Sequence, residues 1–256
     1  LRLYNHFRQL QAGDGIALIE DCAYQNPLFL SFQGVRAKYK NYKGNYSRHP
    51  KIICYFWHVK IRIIVDEQFQ DLFKIRRNRK KVEIGNILIA EPFLEGKYFS
   101  RSVILIVEHD DKGSIGFVLN KPMIYSTSDL VTELSGMDYP VYVGGPVEQN
   151  QLYYIHTHSE LEDTLHIANG IYWGGDFAQL TQMLKEGNIL PGEVRFFSGY
   201  SGWEAGQLNR ELEENTWMVG DISCQDVFEL PNEQIWEKSM SELGGRYRIW
   251  ANFPKD

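Results

Sequence analysis

The residues with the clearest chemical potential are Gly199-Tyr-Ser-Gly-Trp203, which follow the apolar run Glu193–Phe197 and precede Leu208 and Leu212 at helical spacing. A hydrolase nucleophile elbow occupies such a strand–turn–helix junction, but its strained turn needs G-x-S-x-G to pack tightly. The last position here is Trp203. A cap fits the spacing better, with Ser201 starting the helix and Glu204, three residues on, reaching back to the cap amide. His156-Thr-His158 would place two imidazoles on one face of a strand, with Glu160, Glu162, Asp163 and His166 close behind. Two histidines without a fixed third ligand do not define a metal site, so they read as exposed strand residues beside an acidic turn. His109 before Asp110-Asp111 could serve as an acid/base group or could orient a turn. Glu108, Asp110 and Asp111 do not follow the D-x-D-x-D-G pattern of a calcium loop. No catalytic, cofactor or metal ligand is therefore assigned.

The Gly-rich turns remain. Gly144-Gly-Pro146 and Gly174-Gly-Asp176 both follow strands, and free N–H groups at a helix start can hold an anion. Neither matches a dinucleotide or P-loop fingerprint, and tight turns with close backbone packing are the preferred reading. If a ligand or partner pocket exists, it is expected at the element ends Asn120, Lys121, Pro122, Gly144, Gly145, Pro146, Tyr200, Ser201, Gly202 and Trp203. Tyr200 and Trp203 would supply an apolar wall with a polar tip.

These residues need elements to hold them. Gly85–Ala90 and Arg101–His109 read as strands, and Asp110–Ser114 as the turn to a return strand, Ile115–Asn120, with Gly113 suited to positive φ and Pro122 as the stop. A short helix follows through Leu130 and Leu134 to Gly136, then strands at Val141–Val143, Gln151–Thr157 and Ile171–Trp173. Asp176 and Gln179 have capping-box spacing for a helix through Leu180 and Leu184, closed by Gly187. After the 193–197 strand and the Leu208/Leu212 helix, Thr216–Val219 is a strand. Asn232 caps a last helix carrying Ile235, Trp236, Met240 and Leu243. Hairpins first and helices later, without βαβ alternation, predict an α+β fold.

Charge divides the chain. Residues 1–81 hold 16 Lys/Arg and 6 Asp/Glu, net +10, whereas residues 82–256 hold 11 and 27, net −16. One folded unit seldom splits so sharply, which places a boundary near Lys81. The basic part is Tyr/Lys-biased over residues 38–46, and Ile52–Val65 reads as a strand without a turn-linked partner. Three readings compete for it: a nucleic-acid-binding arm ending in Arg76–Lys81, a small domain, or a stretch upstream of the natural start, with Val65 as the translation of a GUG codon. The last is preferred. Cys22, Cys54 and Cys224 form no disulfide framework and no zinc spacing. With no run near 20 apolar residues and no signal-peptide pattern, no membrane is expected and the compartment is expected to be cytoplasmic.

Five motifs recur here in one order: Gly85-x-Ile-Leu-Ile-Ala-x-Pro92, Phe99-x-Arg-Ser-Val103 with His109, Gly116-x-x-x-Asn-Lys-Pro122, Gly144-Gly-Pro-Val147 and Gly199-Tyr-Ser-Gly-Trp203. Together they resemble the AlgH/YqgE family of bacterial proteins. The resemblance implies a small α+β fold with a barrel-like or bifurcated mixed β-sheet flanked by helices. It leaves residues 1–66 as a poorly structured basic extension outside the natural domain and 67–256 as the AlgH/YqgE-like domain. It implies no chemistry, though part of the family is named for a proposed role in transcriptional regulation. The function expected is that of a non-enzymatic binding or adaptor protein, taking a protein partner or small ligand, with a regulatory consequence. The alternatives are an enzyme acting on a small ligand at the Gly-rich turns and a transcriptional regulator touching DNA through the basic extension. The acidic domain itself would repel nucleic acid.

Overall fold

The computed structural model describes residues 76–252, together with the backbone of three short strands before them. The chain divides into two compact units, 1–74 with 256, and 75–255. In the first, β1 (Ile16–Ile19), β2 (Ile52–Ile53) and β3 (Ile61–Ile64) form an antiparallel sheet in the order β1-β3-β2. Residues 52–65 thus do not make one unpaired strand: β2 pairs with β3, Ile52 opposite Ile63. Both pieces are too short for the side-chain alternation that marks a strand in sequence. The remaining expectations for residues 1–75, including their disorder and the natural start, lie outside the described residues.

In the second unit β4 (Ile87–Ala90), β5 (Val103–His109) and β6 (Gly113–Val118) form an antiparallel meander. Strand β7 (Pro122–Ser126) runs into helix α1 (Thr127–Leu130) and a 3₁₀ turn, Thr132–Leu134. Next come β8 (Pro140–Val143), β9 (Val147–His156), β10 (Leu165–Ala168), β11 (Ile171–Trp173) and helix α2 (Phe177–Lys185). The chain closes with β12 (Val194–Glu204), α3 (Gln207–Glu213), β13 (Trp217–Gly220), α4 (Cys224–Glu229), α5 (Asn232–Glu242) and α6 (Tyr247–Ala251).

The ten-stranded sheet runs β10-β11-β9-β12-β6-β5-β4-β13, with β8 attached to β12 and β7 to β8. Its organiser is the eleven-residue β12. One half pairs antiparallel with β9 and parallel with β8, whereas Ser201–Glu204 pairs with β6. The sheet therefore forks at Gly199, whose φ of +69° turns the strand where a side chain would meet the Val147 carbonyl at 2.4 Å. The expected bifurcated mixed sheet is present, but its outer strands β10 and β13 do not pair to close a barrel.

Two apolar clusters flank the fork. One joins Leu88, Ile104, Ile106, Val118, Trp203 and Trp217 to Leu208 and Leu212 of α3. The other seats Leu180 and Leu184 of α2 on Val141, Tyr154, Val194 and Phe196. Each fully buried leucine stabilises this packing by roughly 1.5–3 kcal/mol. Helix α2 begins as its spacing predicts, Asp176 accepting from the Gln179 amide at 2.7 Å. The Gln179 side chain, however, accepts from the Glu162 N–H at 2.8 Å rather than closing the box.

Several local expectations are corrected. The return strand β6 ends at Val118, short of Pro122, and Pro122 itself opens a further strand, β7, since its missing N–H is harmless on an edge strand. Asn232 is the first residue of α5, not its cap, because its side-chain oxygen is taken by Arg195 at 3.0 Å. Gly113 does take the positive φ expected of it, +158°, and a Cβ there would also lie 2.4 Å from the Trp203 carbonyl oxygen. No helix among the described residues is long and apolar enough to cross a membrane.

Candidate functional site

Ser201 sits inside β12, 1% exposed, and donates its hydroxyl to the Gly144 carbonyl at 3.0 Å. The helix begins six residues later, after Gly206 with φ +72°. Ser201 is thus neither a helix cap nor an elbow nucleophile. The strand continues because Ser201–Glu204 finds ladder partners on β6, a gain that local spacing cannot display.

Around Ser201 the structure draws part of the sequence-predicted pocket into one seam. Gly144 donates to the Ser198 carbonyl at 2.9 Å and accepts from the Val118 amide at 3.0 Å. A Cβ on Gly144 would fall 2.1 Å from the Gly199 oxygen, and one on Gly145 2.2 Å from the Tyr200 oxygen. Asn120 acts as a backbone substitute, accepting from Val103 N–H at 3.0 Å and donating to the Arg101 carbonyl at 2.8 Å. Lys121 donates to the Ser100 carbonyl at 2.7 Å. Pro122 lies opposite Tyr142 on β8. Pro146 stays exposed at the lip of the turn.

The two aromatics part company across the sheet. Trp203 turns into the cluster under α3, its indole N–H donating to Glu211 at 2.8 Å and its ring edge-on to Trp217. Tyr200 instead meets Tyr153 edge to face at 5.6 Å, with the Gly202 position lying against its ring. Burial, helped by a 2.5 Å bond to Glu148, pushes the Tyr153 phenol up to about 12. A cavity of about 180 Å³ lined by Asn78, Lys80, Asp221, Ser239 and Glu242 includes none of the ten residues. Neither does the open groove of about 540 Å³ between Glu133 and the α2 residues Phe177, Thr181 and Lys185.

His156 is fully buried, which corrects the reading of both histidines as exposed. Its Nδ1 accepts from the His158 amide at 3.2 Å and its Nε2 meets the Gly174 carbonyl at 2.9 Å, so the proton resides on Nε2. Burial holds its pKa below the ordinary value. His158 lies past the strand end, between Glu160 at 2.8 Å and Glu193 at 3.3 Å. Among the described residues no three His, Cys, Asp or Glu side chains are arranged to hold a metal. His109 bonds Ser114 across its hairpin at 2.7 Å, and Asp110 accepts the amides of Lys112 and Gly113.

Sequence reasoning missed two features. The first is Arg195, 5% exposed and facing away from Val194 and Phe196 on β12. Its guanidinium donates to the Val227 carbonyl at 2.6 Å, to Tyr142 Oη at 3.1 Å and to Asn232, and it lies 4.2 Å from the Tyr142 ring centroid. Burial pulls its pKa below the usual value. The Val227 carbonyl is among the last of α4, where the backbone dipole favours a cation.

The second is an exposed apolar patch on β7 and α1. Strand β7 spends four residue steps, Pro122 to Ser126, against the two that separate Tyr142 from Pro140 on β8. The surplus bulges outward. Met123 turns inward against the α2 cluster, leaving Ile124 92% exposed, Tyr125 50% and, on α1, Leu130 45%. Carboxylates surround them: Asp129 accepts from the Ser126 amide at 2.8 Å, and Asp138 accepts from Ser126 at 3.0 Å and from Ser128. Three or four apolar residues in a β-rich run signal a strand, but nothing in them signals which will face water.

Comparison with known proteins places this geometry among relatives. A family model described as AlgH-like matches residues 87–248. A UPF0301 protein of Bacteroides fragilis is 42% identical over 189 residues, covering 72% of this chain and 95% of the relative. The crystal structure of a Corynebacterium diphtheriae protein superimposes with a TM-score of 0.59 at 22% identity, covering 75% of this chain and 100% of that one. The solution structure of the AlgH protein from Pseudomonas aeruginosa does so with a TM-score of 0.54 at 24% identity, covering 70% and 99%. At such identities the structural likeness speaks for the fold alone.

Proposed function

The chain belongs to the AlgH-like family, and on that premise we propose that its acidic body is a non-enzymatic adaptor that docks a protein partner on β7 and α1. The observation that carries this is Ile124, 92% exposed on a bulged edge strand, with exposed Tyr125 next to it and exposed Leu130 at the end of the following helix α1. Contiguous exposed apolar residues rimmed by polar ones mark interaction surfaces. The rim here is negative, with Asp129, Glu133 and Asp138 exposed on the same stretch. The partner that fits presents apolar side chains flanked by Lys or Arg; carboxylates would set orientation and encounter rate, and the apolar centre would set affinity. Regulation would follow from what the partner does once held.

The Gly-rich seam supports this reading over an enzyme. Its glycines admit neighbouring backbone, Asn120 and Lys121 tie the loop before β5, and the Ser201 proton is committed to a carbonyl. The test is affinity capture from bacterial lysate with the full chain, wild type against Ile124→Asp and against Asp129→Lys with Asp138→Lys. Retained proteins should be lost with both variants; Ile124→Asp should leave the thermal midpoint unchanged, and the double variant should lower it only slightly through its lost bonds to Ser126 and Ser128. An identical retained set for all three would defeat the proposal.

A further inference from the structure

Strand β13 ends the sheet. Its inner edge pairs with β4, Val219 opposite Leu88. Its outer edge is met by a side chain. The Asn78 amide donates to the Val219 carbonyl, and its oxygen accepts the Val219 N–H at 3.0 Å. One carboxamide thus supplies the donor and acceptor that a neighbouring strand would have offered. The flanking residues are pinned alongside: the Arg77 amide donates to Asn215 at 2.8 Å, the Arg76 carbonyl accepts from Tyr247 at 2.8 Å, and Lys80 pairs with Asp221. Residues 76–80 belong by these contacts to the acidic body, although the charge count alone sets them with the basic extension.

A strand edge offering bare N–H and C=O groups is a template for pairing with another chain, and native edges are usually blunted by charge, proline or cover. Strand β13 carries none of these within itself: Trp217, Met218, Val219 and Gly220 are uncharged and buried. Its edge is also self-complementary. Two copies aligned antiparallel about Val219 would exchange both bonds of that residue across a two-fold axis. The strap is held by polar contacts more than by packing, since a cavity of about 180 Å³ lies among Asn78, Lys80, Ser239, Glu242 and Leu243.

We propose that residues 76–80 are an edge guard, in which Asn78 stands in for a strand and keeps β13 from pairing with β13 of a second copy of the chain. The docking surface is built and self-complementary; its occupancy depends on the strap. The test uses full-length chain, wild type, Asn78→Ala and Lys80→Glu, with residue-resolved hydrogen exchange and light-scattering mass across protein concentration. In dilute Asn78→Ala the Val219 amide should exchange roughly tenfold faster, as loss of one hydrogen bond implies. Raising the concentration should then produce an added association step that restores Val219 protection. Lys80→Glu, which sets a carboxylate against Asp221, should move both readouts the same way by less. Unchanged exchange, faster exchange without association, or association that leaves Val219 unprotected would each overturn the guard.

Discussion

Replacing Gly145 with alanine measures what the Gly144-Gly-Pro146 turn is for. An added Cβ would lie 2.2 Å from the Tyr200 oxygen, 2.3 Å from its carbonyl carbon and 2.4 Å from the Ser201 nitrogen, where ordinary contact begins at 3.4 Å. These are backbone atoms of β12, so no rotamer can relieve them. The strand is held on both sides, Tyr200 opposite Val147 and Ser201 opposite Gly116. Admitting the methyl means parting the strands by about an ångström, which sacrifices the bonds joining Gly144 to Ser198, Val118 and Ser201. At about 1 kcal/mol each, with residual strain of about 1–2 kcal/mol, Gly145→Ala should cost about 4–5 kcal/mol. Gly192→Ala is the control, because no atom lies within 4 Å of its Cβ and its φ is not positive. That variant should be neutral or more stable by about 0.4–1 kcal/mol through the unfolded chain. Urea unfolding followed by tryptophan fluorescence gives both numbers. If the two variants fell within about 1 kcal/mol of each other, the close approach of strands would not be what this glycine serves. Lost binding in a fully stable Gly145→Ala protein would return the turn to the list of ligand sites.

Two further outcomes follow from the same geometry. His156 is buried neutral with its pKa depressed by burial, whereas in the unfolded chain it takes a proton near pH ~6.5. Its contribution to stability is therefore whole above about 6.5 and is lost as pH falls from there through the folded pKa, by up to about 1.4 kcal/mol per pH unit; a wild-type minus His156→Gln stability difference that stays flat from pH ~7.5 to ~5 would contradict this. Ser201→Ala removes one bond to the Gly144 carbonyl, which keeps the Val118 amide as a donor, so the loss should be about 1 kcal/mol with an unchanged far-UV spectrum. A cost above about 3 kcal/mol would show that the hydroxyl does more than join two strands.

Where the signal was local, the sequence was readable. The β5–β6 hairpin follows from an apolar run and Asp110–Ser114, and α2 from Asp176, the Leu180/Leu184 spacing and Gly187, all within a dozen residues. Ser201 and Asn232 misled because each looked like a cap to its neighbours while its partner lay far away, Gly144 for the first and Arg195 for the second. Asn78 behaves likewise: its partner, Val219, is 141 residues on. The ten residues expected to form a pocket were chosen as element ends. Asn120, Lys121, Gly144, Gly145 and Ser201 do lie along one seam, while Tyr200 and Trp203 fall on opposite faces of β12 and cannot form one wall, because register on an eleven-residue strand, invisible until its partners are known, decides the face. The exposure of Ile124 depends on a bulge that only pairing with β8 creates.

The guanidinium of Arg195 draws its solvation from three groups on two distant stretches of chain: Tyr142 on β8, and Val227 in α4 with Asn232 at the start of α5. Stripping water from that cation before all three have arrived is costly, since an unpaired buried charge is among the most expensive things a core can hold. The start of β12 therefore has its dry surroundings completed only by the C-terminal helices. Through this one side chain the C-terminal helices and the central strand share their stability, since loosening either leaves the same cation unpaired.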